Sequence, residues 1–283
     1  MIQPRWCALF CDTDEMTRGV RWPMVVALVA VWLVGCSTTP PSPATALQRW
    51  MATSPMYIAH RGGDADWTEG TADAYAHAAA WNPSLALEVP VWRTSDGIWV
   101  ISEDPTTGRV FGTNDDIKRT PWAALAALRT LRGHHRIARL VDDVLAVYPR
   151  DRIIFVDDKP GADVSGFLSL LNSYGGPARF VVKTFWKSEA LPQQARKVGY
   201  ITWGYYYARD MRYFAATEGR FDMLNLDYTA PAADFAAMRA TGKPIIAHII
   251  YNAQAAAAAL QSGASGLMVS AVRRVVPATT SSR

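Results

Sequence analysis

A chain of 283 residues that is 50% apolar can bury a full core, and beyond its N-terminal segment roughly one large domain remains. The formal charge of +4 is spread along the chain, with no run of Lys and Arg interleaved with aromatics, which argues against a nucleic-acid partner. The cysteines, Cys7, Cys11 and Cys36, all lie near the N-terminus, so the body of the protein uses neither a disulfide nor a cysteine-bound zinc.

From Met24 to Gly35 runs an apolar segment of 12 residues, preceded by Arg18 and Arg21 and followed by Cys36 and a tract rich in Ser, Thr and Pro. It is short for a bilayer span and suits the core of a signal peptide. Leu33-Val34-Gly35-Cys36 resembles a bacterial lipobox, in which the cysteine is acylated and becomes the mature N-terminus. The expectation is therefore an exported lipoprotein anchored to the extracytoplasmic face of a membrane of the cell envelope through Cys36. The competing reading is an uncleaved signal anchor. Asp12, Asp14 and Glu15 spoil a positively charged leader, which makes Met16 a better start than Met1. The predicted organisation is an upstream extension and signal peptide over 1–35, a flexible tether over 36–50 and a folded domain over 51–283.

Within that domain short β-rich runs alternate with alanine-rich helical stretches. The predicted strands are 57–60, 85–89, 153–157, 180–183, 200–203, 223–226, 244–248 and 266–270. The predicted helices are 71–80, 122–128, 141–148, 164–171, 189–198, 232–240 and 255–262. Strand and helix alternating through about 220 residues argue for a closed parallel (β/α)8 TIM barrel. An open doubly wound sheet is the alternative, but no G-x-G-x-x-G follows the first strand. Residues 92–111 break the alternation: Asp96-Gly97 is a hairpin signal followed by 98–102, so a small β excursion is expected after the second strand.

In such a barrel the chemistry sits at the C-terminal ends of the strands. There the sequence places His60 and Arg61, Glu88, Asp157 with Asp158 and Lys159, Lys183, Trp203, Asn225 with Asp227, His248, and Ser270. The stretch Tyr57-Ile58-Ala59-His60-Arg61-Gly62-Gly63 reads as a buried strand carrying an imidazole and a guanidinium into a glycine turn. That is a way to set a proton-transfer group beside an anion clamp, although a hydrogen-bonded core histidine fits the same residues. Trp67, Trp186, Trp203 and Tyr205, Tyr206 and Tyr207 could wall a site for an acyl chain or a choline-like cation, or simply pack the barrel.

Together these residues resemble the glycerophosphodiester phosphodiesterase family, within the phosphatidylinositol-phospholipase-C-like phosphodiesterases. The resemblance is carried by Ile58-Ala59-His60-Arg61-Gly62, Glu69-Gly70-Thr71, Glu88, Thr94-Ser95-Asp96-Gly97 and Asp104-Pro105-Thr106. Asp157-Asp158-Lys159, Thr184-Phe185 and Gly263-Ala264-Ser265-Gly266 extend it, so that it covers about residues 55–277. It implies a TIM barrel that cleaves glycerophosphodiesters to glycerol 3-phosphate and an alcohol with a divalent cation, Ca²⁺ or Mg²⁺, held by carboxylates. Carried over by position, His60 matches the first catalytic histidine and Arg61 the phosphate-binding arginine. Glu69, Glu88 and Asp157 match acidic positions expected to hold the metal, and Lys159 matches a lysine two residues beyond the last of them. Lys159, Lys183 and His248 are expected to join Arg61 in binding a glycerophosphodiester or phospholipid head group.

Two departures stand against the matches. Where the family has Glu-x-Asp this chain has Glu88-Val89-Pro90, and proline offers no acceptor. Where the family has His-Asp this chain has Glu103-Asp104, so Glu103 stands at the second catalytic position. A glutamic acid can serve there if burial raises its pKa; Glu103 replacing the lost metal ligand, with His248 as the second proton-transfer group, is the other repair. Three readings follow: a metal-assisted phosphodiesterase using His60, Arg61 and Glu103; a weakened or inactive barrel that binds an anionic head group or a partner; and release of a cyclic phosphate with a substrate hydroxyl as nucleophile.

Overall fold

The computed structural model describes residues 43–279. In chain order the strands are β1 Met56–Ala59, β2 Ala86–Arg93, β3 Trp99–Ile101, β4 Ile154–Asp158, β5 Phe180–Phe185, β6 Ile201–Tyr205, β7 Met223–Asp227, β8 Ile245–Ile250 and β9 Gly266–Val269. All pair in parallel except β3, which returns antiparallel on β2, and the pairing of β1 with both β2 and β9 closes the other eight into a barrel. The expected (β/α)8 architecture and its β excursion are both present.

Period-2 alternation sorts each strand. Leu87, Val89, Ile154, Val156, Val182, Leu224, Ala247 and Leu267 face outward and pack against the surrounding helices. Ile58, Ala86, Phe155, Val181, Trp203, Met223, Ile246 and Met268 fill the lumen. One pleat further along the strands the same inward face carries His60, Glu88, Asp157, Lys183, Asn225, His248 and Ser270, all buried. The apolar layer is thus the floor on which a polar layer stands. Polar N-caps start the helices that face it: the hydroxyl of Thr71 accepts from the Ala74 amide, and Asn252 Oδ1 accepts from the Ala255 amide at 2.9 Å.

β2 was expected to end at residue 89 but continues through Pro90 to Arg93. Proline is unusual in a central strand because it donates no ladder bond. Here the Leu87 amide donates to Ile153, so by alternation the Val89 and Val91 amides face β4 and the side where Pro90 lacks a donor faces away. On that side β1 has already ended, its last pairing with β2 being Ala59 with Leu87.

Other boundaries also differ. His60 does not end β1; it opens a 3-10 turn, His60–Gly62. The helix expected over 122–128 is only Trp122–Leu125, and that over 141–148 is a short π-type turn, Val141–Leu145. Between them the chain is drawn into the excursion, where the Ile101 amide donates to Ala138 at 2.8 Å and Val100 bridges Arg139, so alanine content gave way to strand pairing.

The tether expected over 36–50 ends earlier than the sequence suggested, because Ala46–Met51 is a helix with a capping box on Thr45. Leu47 and Trp50 from this helix plug the N-terminal mouth of the lumen, with the Trp50 ring 5.4 Å from that of Phe155 and its Nε1 donating to Ser84 O at 3.0 Å. Cys36 and the segment 1–35 lie outside the described residues. Trp50→Ala is expected to cost about 3–5 kcal/mol of stability in urea unfolding, as for other buried tryptophans, while leaving the opposite rim unchanged. A loss below about 1 kcal/mol would mean that this helix is not part of the core.

Candidate active site

At the C-terminal rim the turn after β1 is left-handed through three residues: Arg61 has φ 50°, Gly62 80° and Gly63 90°. Glycine adopts this freely, whereas an arginine gives up about 1–2 kcal/mol. What holds Arg61 there is its own amide, which donates to Glu88 Oε2 at 2.8 Å. The same turn presents the His60 ring. Its Nδ1 lies 3.1 Å from Asp64 Oδ1 and 3.0 Å from Ser270 Oγ. An acidic acceptor at Nδ1 favours the proton there and leaves Nε2 as the basic nitrogen. Burial pushes the Asp64 carboxyl up, but the hydrogen bond and charge of His60, the Ser270 hydroxyl and the Arg61 charge together outweigh this and hold it below the usual carboxylate range.

His60 and Arg61 share a cavity of about 270 Å³ with Glu103, Asp157, Asp158, Lys159, Lys183, Phe185, Tyr205 and Tyr207. Its floor is an alternating cluster of charges. Lys183 Nζ lies 2.7 Å from Glu88 Oε1 and 3.0 Å from Asp157 Oδ2. Lys159 Nζ lies 2.9 Å from Asp157 Oδ2 and 2.8 Å from Glu103 Oε1. Arg61 reaches Glu69 Oε2 at 3.1 Å and Glu103 Oε1 at 3.4 Å. Burial pushes the Glu88 and Asp157 carboxyls up, but the lysines outweigh it, holding Glu88 low and Asp157 at about 2. The same pairs keep Lys159 and Lys183 raised against the opposing effect of burial.

Whether a divalent cation fits follows from which oxygens remain. Both Glu88 oxygens are engaged, by Lys183 and by the Arg61 amide. Both Glu69 oxygens are engaged by Arg61 and Arg109. Asp157 Oδ2 is shared by two ammonium groups, and Pro90, which pairs with Asp157 across the strands, supplies no oxygen side chain. Among the described residues no group of three His, Cys, Asp or Glu is arranged to hold a metal. Ca²⁺ needs 6–8 oxygens and Mg²⁺ a near-octahedral set. A divalent ion about 4 Å from one ammonium would also meet about 8 kcal/mol of repulsion at an effective dielectric near 20. The donor set expected from Glu69, Glu88 and Asp157 does not fit a metal: these carboxylates are close together, but as partners of Arg and Lys.

The other predicted residues divide. Glu103 lines the cavity beside Arg61 and Lys159, with Oε2 buried and without a partner. His248 does not line the cavity. It lies behind Tyr205 and Tyr207, with ring centroids 4.5 and 5.5 Å away, and its Nε2 is 3.1 Å from Asp227 Oδ1. Burial lowers its pKa, more than Asp227 raises it, so the ring is neutral near pH 7. Of the aromatics, Trp203 belongs to the lumen floor, Tyr206 to the outer core and Trp186 to a stack with Tyr213 at 4.4 Å; Tyr205 and Tyr207 form the wall.

Sequence reasoning passed over Asp64, whose spacing four residues after His60 was the available signal. For Asp158 it offered only one of several candidate third oxygens for a metal. The Asp158 oxygens are buried with no side-chain partner, and burial, with Asp157 and Asp163 nearby, pushes the carboxyl up to about 7.

The barrel gathers imidazole, guanidinium and ammonium groups at one rim, a set suited to receiving a phosphodiester. Residues 60–154 match the model of the Glycerophosphoryl diester phosphodiesterase family. No match was found among curated proteins compared by sequence. Among solved structures the fold is similar to a phosphodiesterase from Oleispira antarctica in complex with the product sn-glycerol-3-phosphate. That likeness has 17% identity and TM-score 0.67, covering 77% of this chain and 94% of that one. A glycerophosphodiester phosphodiesterase from Thermotoga maritima matches at 18% identity and TM-score 0.62, covering 76% of this chain and 94% of that one.

Because the Asp158 pKa of about 7 exceeds its unfolded value of 3.8, the protonated carboxyl favours the folded state, and that contribution is lost as pH rises from about 4 through about 7. The stability of Asp158→Asn relative to the unsubstituted protein should therefore increase across this interval and level off above it, measured by urea unfolding. A difference independent of pH would show that Asp158 is not shifted.

Proposed function

We propose that the chain hydrolyses glycerophosphodiesters, or related phospholipid head groups, to glycerol 3-phosphate and an alcohol. The observation that carries this reading is the pairing of His60, oriented by Asp64 and Ser270, with Arg61, Lys159 and Lys183 around one cavity. The cations receive the phosphodiester oxygens. His60 Nε2 takes the proton of the attacking hydroxyl, from water or from the substrate's own glycerol, the latter giving a cyclic phosphate that water opens to glycerol 3-phosphate in a second step. The new O–P bond forms as the bond to the departing alcohol breaks, and that alkoxide takes up a proton. Glu103 stands at the position that the resemblance gives to this second transfer, but it is ion-paired with Lys159 and Arg61, so the alkoxide takes its proton from water held beside the free Oε2. The reading uses the protein's own cations throughout.

The sequence N-terminal to the barrel supports a lipid anchor. A signal-peptide core ending at Leu33-Val34-Gly35-Cys36 would leave the mature enzyme attached to a membrane through Cys36, close to phospholipid-derived substrates.

His60→Ala should lower the release of glycerol 3-phosphate from glycerophosphocholine or glycerophosphoethanolamine by about 10²- to 10⁴-fold. Asp64→Asn should lower it less, with a changed pH profile. If the unsubstituted protein releases no more glycerol 3-phosphate than His60→Ala, the enzyme reading fails and phosphate binding alone remains. Cys36→Ser should move the protein from the membrane fraction to the soluble or signal-retained fraction. Unchanged lipid labelling of that variant would rule out the anchor.

A further inference from the structure

We propose that the Lys183 ammonium is the resident cation of this site, occupying the place between Glu88 and Asp157 and presenting one N–H to the phosphate. The inference rests on the phosphodiesterase reading above for its ligand, but not for its geometry.

Lys183 stands on β5 level with Asp157 on β4, and Asp157 is level with Pro90 on β2. Because position 90 has no carboxylate, the four-carbon stem of Lys183 reaches past Asp157 to Glu88, two residues earlier on β2, at 2.7 Å. The residue is only 4% exposed. Below and beside the ammonium lie the rings of Trp203 and Tyr205, with Nζ 5.8 and 4.9 Å from their centroids. Two carboxylates and two aromatic faces thus cage one positive charge. An ammonium has three donors. Glu88 and Asp157 take two of them, and Lys183 also lines the cavity shared by His60 and Arg61, so the third is available to a phosphate oxygen. A metal bridging the same carboxylates would have to displace this buried lysine from both of them.

The test combines a titration that needs no substrate with an assay that does. The full chain, purified in detergent and stripped with a chelator, is titrated with CaCl₂, MgCl₂ and MnCl₂ by calorimetry and thermal shift. The expected result is no saturable binding up to millimolar concentration, and turnover of glycerophosphocholine within about twofold with or without EDTA. In Lys183→Met, turnover should fall at least 100-fold, and Ca²⁺ or Mn²⁺ should now raise the melting temperature, because Glu88 and Asp157 have lost their counter-ion. Stoichiometric metal binding by the unsubstituted protein, or loss of its turnover in EDTA with recovery on adding metal, would overturn the proposal. So would a Lys183→Met protein as active as the parent. Should that variant not fold, the titration of the unsubstituted chain decides alone. Absence of turnover in every condition would sink the phosphodiesterase reading instead, while a flat metal titration would still support Lys183 as the resident cation.

Discussion

Glu88 is wholly buried, and each of its oxygens holds one half of the rim in place: Oε1 binds the ammonium of Lys183 from β5, and Oε2 accepts the amide of Arg61 in the turn after β1. The remaining site geometry follows from these two bonds. A carboxylate taken out of water without compensation costs several kcal/mol, so Glu88 is tolerable only with both partners present. The consequence runs in both directions. Arg61 is kept in a left-handed conformation that aims its guanidinium at Glu69 and Glu103, and Lys183 is kept upright in the lumen beside Asp157. Replacing the pair by apolar groups could be neutral for stability. It would nevertheless release both Arg61 and Lys183 from their present positions, so the cluster is better explained by positioning than by its contribution to folding.

Much of this was legible in the sequence because it rests on period-2 alternation. Strand-helix repetition gave the barrel, and counting from an apolar strand to its first polar residue placed His60, Glu88, Asp157 and Lys183 on one rim. What could not be read was pairing. Glu69, Glu88 and Asp157 form an acidic set in one dimension, and only the folded chain brings Arg109, Lys159 and Lys183 against them. An acidic set with opposed cations has the same composition as one awaiting a metal. His248 misled for a related reason: it ends an inward-facing strand position, but Tyr205 and Tyr207 from β6 and the loop after it cover the ring. The helix Ala46–Met51 was hidden by the Pro- and Thr-rich run before it, and only Trp50 hinted that the chain had begun to pack.

Pro90 and Lys183 are better understood as one change than as two. A carboxylate at position 90 would lie beside Asp157, and the repulsion would favour a second cation from outside. With proline there, one acidic group fewer faces the lumen, and the two ammonium groups of Lys183 and Lys159 suffice to neutralise Glu88 and Asp157. The proline itself is allowed because β1 stops short of it, so no ladder bond is lost.

This balance has a consequence for how an anion is held. Arg61, Lys159 and Lys183 face Glu88, Glu103 and Asp157 one for one, so the cavity carries no large surplus of positive charge to draw in a phosphate. Recognition must then come from oriented donors rather than from net field. The donors left over are of that kind: Arg61 Nε is buried without a partner, and one N–H of Lys183 is unspent. Fixed by carboxylates behind them, these groups need no reorganisation when charge moves onto the phosphoryl oxygens, which is the condition under which a few hydrogen bonds stabilise a transition state more than a ground state.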